Sequence, residues 1–175
     1  MINSEVTQNT DPVLEIRDLY KSYISGSETL AILHSVSFSV PSGISVAIRG
    51  ESGSGKSTLL NIIGGLDRAD AGTVRVGQFN LEQLSEAQMN EYRGRHVGFI
   101  FQFHYLLKDF TALENVFLPA FMAGNSKKDA TERARQLLAD VGMEHRLHHY
   151  PSQLSGGECQ RVAVARSLVN DPDLI

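Results

Sequence analysis

Between Gly50 and Thr58 the sequence reads Gly-Glu-Ser-Gly-Ser-Gly-Lys-Ser-Thr, which fits the pattern G-x-x-x-x-G-K-[ST]. Each part of that pattern has a chemical use. Glycines at Gly50, Gly53 and Gly55 let the backbone turn so that successive N–H groups face one anion. Glu51, Ser52 and Ser54 complete the loop, and Lys56 can reach the β- and γ-phosphates of a nucleotide as a point charge. Ser57 can offer a hydroxyl to Mg²⁺, and Thr58 continues into a helix whose positive end favours phosphate.

The second candidate, Leu154-Ser155-Gly156-Gly157-Glu158, begins 97 residues after Ser57. Ser155 and Glu158 have the spacing of a capping box, which stabilises a helix start by about 1 kcal/mol. A capping box does not require two glycines. Gly156 and Gly157 therefore point to close approach of an anion to free N–H groups.

The elements that position these loops can be read from periodicity. Val13–Tyr23, Val36–Val40 and Gly72–Val76 read as strands, with Ser35, Ser37 and Ser39 alternating against Val36, Phe38 and Val40. Turns are expected at Ser25–Ser27 and Pro41–Gly43. Ile44–Ile48 is short, apolar and β-rich, so it is expected as a buried strand before the phosphate loop, and His96–Phe101 as another. Helices are expected over Ser57–Leu66, Leu81–Arg95, Lys127–Met143 (capped by Ser126 and Asp129) and Gly156–Val169.

The composition narrows the classes of function. The chain has 175 residues, 42% of them hydrophobic and 21% charged, which suits a folded domain. A net charge of −4 and the lack of a basic stripe argue against a nucleic-acid partner. One cysteine excludes an internal disulfide framework. The stretch Thr29–Ile48 lacks Asp, Glu, Lys and Arg, but its serines, His34, Pro41 and Gly43 fit strands rather than a membrane span. The polar N-terminus shows no apolar leader, so a cytoplasmic location is expected.

Taken together, the two loops resemble the motifs of ATP-binding cassette (ABC) ATPases: Gly50–Thr58 the Walker A loop, and Leu154–Glu158 the family signature. Gln102 matches the Q-loop glutamine, and Tyr23 the aromatic that stacks on adenine. Gly64–Val74 and Phe101–Val116 look most like the lipoprotein-releasing branch, with macrolide-export and cell-division ATPases as close alternatives. Two departures are Cys159, where the family usually has Arg or Gln, and Gly77, one position early in its turn.

The resemblance implies an α/β P-loop NTPase fold with a mixed sheet, an N-terminal antiparallel β-subdomain and an inserted helical subdomain. It divides the chain into residues 1–101 (β-subdomain and Walker A), 102–153 (Q-loop and helical subdomain) and 154–175 (signature and the start of the Walker B strand). It implies ATP and Mg²⁺ as cofactors, with Lys56 and Gln102 catalytic and Ser57 and Gln102 at the metal. Tyr23, Gly50 through Thr58, and Ser155 through Glu158 would bind nucleotide. It also implies a head-to-tail homodimer in which Ser155, Gly156 and Gly157 act on the partner's γ-phosphate. A transmembrane permease would dock near Phe103–Phe110, placing the protein on the inner face of the bacterial inner membrane. Phe103, Tyr105, Leu106, Leu107 and Phe110 read equally as docking residues or as a local core.

By the same resemblance, an apolar strand ending in Asp-Glu follows Asn170–Ile175, then a D-loop and a switch histidine, about 50 residues in all. The chain is expected to be C-terminally truncated, with an exposed sheet edge, impaired Mg-ATP binding and no turnover by these 175 residues alone. A reading of a different class is a non-hydrolytic nucleotide-binding module. His145, His148 and His149 read either as solvated loop residues or as a metal site, and Cys159 as either a packed side chain or a thiol of lowered pKa.

Overall fold

The computed structural model describes residues 12–26 and 28–175. The polar N-terminal stretch and Ser27 of the expected turn lie outside them. The chain forms two compact units, divided between Ser85 and Glu86.

The first unit is a four-stranded antiparallel sheet with one helix. Strand β1 spans Pro12–Ser25, β2 Glu28–Pro41, β3 Ala71–Val76 and β4 Phe79–Asn80, in the order β2-β1-β3-β4. Alternation dictates the buried face: Leu14 and Ile16 of β1 lie opposite Val76 and Val74 of β3, and all four are buried. The serines of β2 stay on the wet side, where Ser35 and Ser37 hydrogen-bond Asp18. Asp18 has a left-handed backbone at a bulge in β1. Gly72 of β3 lies against that bulge, and a Cβ there would stand 2.5 Å from the Asp18 carbonyl oxygen. Helix α1 (Lys56–Ile63) buries Leu59, Ile62 and Ile63, whereas Leu60 and Leu66 of the same apolar pattern are exposed and the helix ends before Leu66.

The second unit is helical. Helix α2 (Glu86–Glu91) runs into a π-turn at Tyr92–His96. Helices α3 (Ala112–Met122), α4 (Lys127–Asp140) and α5 (Gly156–Ser167) share a core that includes Val116, Leu138, Met143 and Val162. No helix among the described residues is long and apolar enough to cross a membrane.

The structure corrects three expectations. Ile44–Ile48 forms no strand and is exposed, with Ile44 at 56% and Val46 at 54%. His96–Phe101 is reduced to one parallel bridge, Val97 to Leu174, supported by the Gly98 N–H donating to the Leu174 carbonyl at 2.8 Å. A strand is held by its neighbours rather than by its own composition, and these two segments find only that ladder contact. Among the described residues the four-stranded sheet is antiparallel, as expected of the N-terminal β-subdomain. Leu81–Arg95 is not one helix: a 3₁₀ turn at Leu81–Gln83 ends where Leu84 turns extended, before α2 begins. Helix α3 starts in a Thr111–Glu114 capping box.

Candidate nucleotide-binding site

The phosphate-loop candidate lies in the first unit. Its turn is closed by the Ser54 N–H donating to the Glu51 carbonyl at 3.2 Å. Gly53 and Gly55 both have left-handed backbones, with φ of 83° and 87°. Gly55 is also a close approach: a Cβ there would sit 2.8 Å from Leu33 Cδ2 and 3.1 Å from the Ile32 carbonyl oxygen. At Gly50 a Cβ would meet Ser54 Oγ at 2.6 Å.

Helix α1 starts at Lys56 with Gly55 as its N-cap. No side chain caps it, and no acidic residue stands in its first turn. Its leading N–H groups therefore have neither an intrahelical partner nor a side-chain substitute, and the positive end of the dipole is not offset locally. Lys56 folds over the loop and donates from Nζ to the carbonyls of Gly50 (3.0 Å) and Glu51 (2.6 Å) and to Ser54 Oγ (3.4 Å). Glu51, Ser52 and Ser57 are exposed and Thr58 is half-buried. The result is a cationic cradle suited to a polyphosphate, with a free hydroxyl at Ser57. Mg²⁺ typically takes one or two protein oxygens beside substrate phosphates, so the donor set fits that ion.

Tyr23 belongs to the same unit, on β1. Its ring is 41% exposed, and its hydroxyl donates to Asp67 Oδ2 at 2.5 Å. The phenol's pKa is raised, first by the bond to Asp67 and then by burial, with a bond to Thr58 opposing. Beneath it Lys21, only 8% exposed, donates to Asp67 Oδ1 (3.0 Å) and the Arg68 carbonyl (2.7 Å) and lies 3.6 Å from Asp70. Burial is the largest influence and pulls the Lys21 pKa down, but the bond and charge of Asp67, with Asp70 and Tyr23, together outweigh it and the net shift is upward.

Gln102 and the signature candidate belong to the second unit. Gln102 is exposed in a turn. After it, His104 and Tyr105 have left-handed backbones (φ 62° and 45°). Arg166 of α5 donates to both carbonyls, from Nη2 to His104 at 2.6 Å and from Nη1 to Tyr105 at 2.7 Å. Burial lowers the Arg166 pKa.

Ser155 caps α5. The Glu158 N–H donates to Ser155 Oγ (3.3 Å), and the Ser155 N–H donates to Glu158 Oε2 (2.8 Å). Those bonds, from the Ser155 backbone first and its hydroxyl second, hold the Glu158 carboxyl below its usual range. Arg146 Nε reaches the same carboxylate at 3.2 Å. Ser155, Gly156 and Gly157 are exposed, and a Cβ at Gly156 would meet nothing within 4 Å.

The remaining candidates separate. Phe103 (73% exposed) and Tyr105 (62%) face solvent with Leu107 and Phe110, whereas Leu106 packs on the helical core. Among the described residues no cluster of three or more His, Cys, Asp or Glu is arranged to hold a metal. His145 and His148 are exposed, and His149 Nε2 lies 3.0 Å from Arg146 Nη1. Cys159 is half-buried, and burial with the Glu158 charge pushes its thiol pKa up, against the lowered value considered from sequence.

Asp67, Arg146 and Arg166 did not stand out in the sequence. Asp67 sits directly after the apolar run of α1, where a carboxylate could have been noticed. Arg146 and Arg166 offer no comparable signal: Arg146 reaches Glu158 across a loop of 12 positions, and Arg166 reaches carbonyls 61 and 62 positions away.

A family model described as ABC transporter matches residues 33–175. The lipoprotein-releasing system ATP-binding protein LolD of Treponema denticola is 55% identical over 163 residues, covering 93% of this chain and 72% of that protein. The Treponema pallidum LolD is 54% identical over 165 residues, covering 94% and 73%. Among solved structures, a dimeric post-hydrolysis state of the ATP-binding cassette MJ0796 bound to ADP and Pi superposes with a TM-score of 0.84 at 38% identity. It covers 91% of this chain and 70% of that one.

Proposed function

The chain belongs to the ABC transporter family, and from that premise we propose that it is the ATP-binding and ATP-hydrolysing subunit of a system that releases lipoproteins from the bacterial inner membrane. The observation that carries the nucleotide reading is the uncapped start of α1, where Gly55 is left-handed and Lys56 lies over the loop. The lipoprotein branch is supported by the LolD relatives, which weigh against the macrolide-export and cell-division alternatives.

In this reading the N–H groups of Gly53 through Thr58 hold the phosphates, and Lys56 swings from its loop carbonyls onto the β- and γ-oxygens. Ser57 contributes a hydroxyl to Mg²⁺, which supplies charge neutralisation at the transferring phosphoryl group when bound. Gln102 is assigned to the same ion from the family resemblance. Tyr23 stacks on the base. Ser155, Gly156 and Gly157 act in trans on a second copy's nucleotide in a head-to-tail pair, with Glu158 bracing them; the dimeric MJ0796 structures support pairing of two copies. The functional division into residues 1–101, 102–153 and 154–175 follows from these roles.

Exposed Phe103, Tyr105, Leu107 and Phe110 form the apolar side offered to the permease, which makes the protein a peripheral subunit on the cytoplasmic face.

The test is Lys56→Ala in the full-length protein reconstituted with its permease. ATP turnover and release of a membrane-held lipoprotein should both fall at least about 100-fold, consistent with loss of electrostatic stabilisation at the phosphoryl group. Near-normal turnover by that variant would overturn the assignment, and turnover without lipoprotein release by the parent would overturn only the lipoprotein branch.

A further inference from the structure

Two observations about the base-stacking candidate go beyond the family motif. The first concerns how Tyr23 is held. The ring leaves β1 at one end, and at the other its hydroxyl donates to Asp67 Oδ2 at 2.5 Å. Asp67 lies in the turn that ends α1, where its own N–H donates to the Asn61 carbonyl at 3.2 Å. The aromatic on the sheet is therefore tied to the helix whose other end is the phosphate loop.

The second concerns the ring's faces. Lys21 is two residues earlier on β1, so both side chains leave the strand on the same side. Its Nζ lies over the Tyr23 ring, 5.0 Å from the centroid, and is fixed there by Asp67, Asp70 and the Arg68 carbonyl. An ammonium at that distance interacts with the ring face and occupies it. Tyr23 as a whole remains 41% exposed.

We propose that Asp67, charge-balanced by Lys21, is a positioning residue for nucleotide binding: it locks the Tyr23 ring at a fixed height above the phosphate loop, with one face closed by Lys21 and the other presented to the base. This rests on the nucleotide reading given above. Asp67 touches no part of the nucleotide. It acts by removing the freedom of the ring, so that stacking is not opposed by the cost of ordering Tyr23 on binding.

The experiment compares ATP with inorganic tripolyphosphate, which carries the phosphates and no base, by equilibrium binding to the full-length protein. Tyr23→Phe keeps the ring and the Lys21–Asp67 ion pair and removes the hydroxyl's bonds to Asp67 and Thr58, whereas Asp67→Ala removes the tether and leaves the Thr58 bond. Loss of one hydrogen bond of this kind should weaken ATP about three- to ten-fold and leave tripolyphosphate unchanged. Asp67→Ala should also weaken ATP and not tripolyphosphate, and the double variant should be no worse than Tyr23→Phe, which already lacks the Asp67 tether.

If Asp67→Ala fails to fold, since it leaves buried Lys21 short of a partner, Tyr23→Phe alone still decides the matter. Unchanged ATP affinity in Tyr23→Phe would overturn the inference while leaving the nucleotide reading intact. A parallel loss of tripolyphosphate affinity would show a general structural effect and also overturn it. A parent protein that bound neither ligand would overturn the nucleotide reading, and this inference with it.

Discussion

Helices α1 and α5 both begin in glycine-rich turns, and their N-termini are finished in opposite ways. Helix α1 starts after a left-handed Gly55, with no side-chain cap and no acid in its first turn. Helix α5 starts after Ser155, and Ser155 and Glu158 exchange both bonds of a capping box. Helices α3 and α4 are also capped by side chains, from Thr111 and Ser126. A cap contributes about 1 kcal/mol, so α1 forgoes stability at the end where the sequence places its phosphate loop. The positive end of α1 is left for an external anion. The positive end of α5 is already partly balanced by Glu158, so its glycines can present N–H groups to a second subunit without leaving the helix start unstable on its own.

The sharpest way to break this comparison is to give each loop a methyl group. Gly55→Ala must hold φ near 87° and place a carbon 2.8 Å from Leu33 Cδ2. The strain and overpacking should destabilise the first unit by about 2–4 kcal/mol and abolish ATP binding. Gly156→Ala meets nothing within 4 Å and has no positive φ. Its folding stability should stay within about 0.5 kcal/mol of the parent, while ATP-dependent dimerisation declines. Denaturant titration and sedimentation of both variants check this. Equal losses of stability would remove the distinction between the two loops.

A smaller effect tests the cap itself. Ser155→Ala should cost about 1 kcal/mol, with no counterpart on α1, which has no cap to lose. The cap is also pH-dependent. The Glu158 carboxyl is held below its usual range by Ser155. Its contribution is therefore present above the unfolded-state value and is lost as pH falls through the lower folded-state value. Glu158→Gln keeps a capping-box side chain but cannot titrate. Between about pH 6 and pH 3 the parent's Tm should fall more steeply than the variant's. Parallel Tm curves would show that Glu158 contributes nothing to the acid limb.

How far the sequence disclosed this molecule depended on range. Local patterns were legible: the alternation of β2 against its serines and the Ser155–Glu158 box follow from spacing alone, and the apolar spacing of α1 marks a helix, although Leu60 and Leu66 in it are exposed. Ile44–Ile48 and His96–Phe101 misled because apolar, β-rich composition marks a central strand only when partners exist to hydrogen-bond it. The bond from Tyr23 to Asp67 spans 44 positions, and those from Arg166 to the Gln102 turn about 60, beyond any periodic signal. The motifs named the candidate residues, and the long-range contacts that hold Tyr23 and the Gln102 turn became visible only in the fold.

Cys159 offers the finest measure of the difference between the two helix ends. It lies in the first turn or so of α5, where an unopposed dipole would favour thiolate and lower its pKa. The structure gives the opposite direction: burial raises the thiol pKa first, and the neighbouring Glu158 charge raises it further. The capping carboxylate thus offsets the field that the bare end of α1 retains. Labelling of Cys159 by a neutral thiol reagent at about pH 7 should be slower than that of a free cysteine of pKa about 8.5. The variant Glu158→Gln should speed it by a small factor, because one of the two causes is removed while burial remains. A rate at or above that of the free thiol would mean that the dipole of α5 is not balanced by its own acid, and that the two helix ends are electrostatically alike.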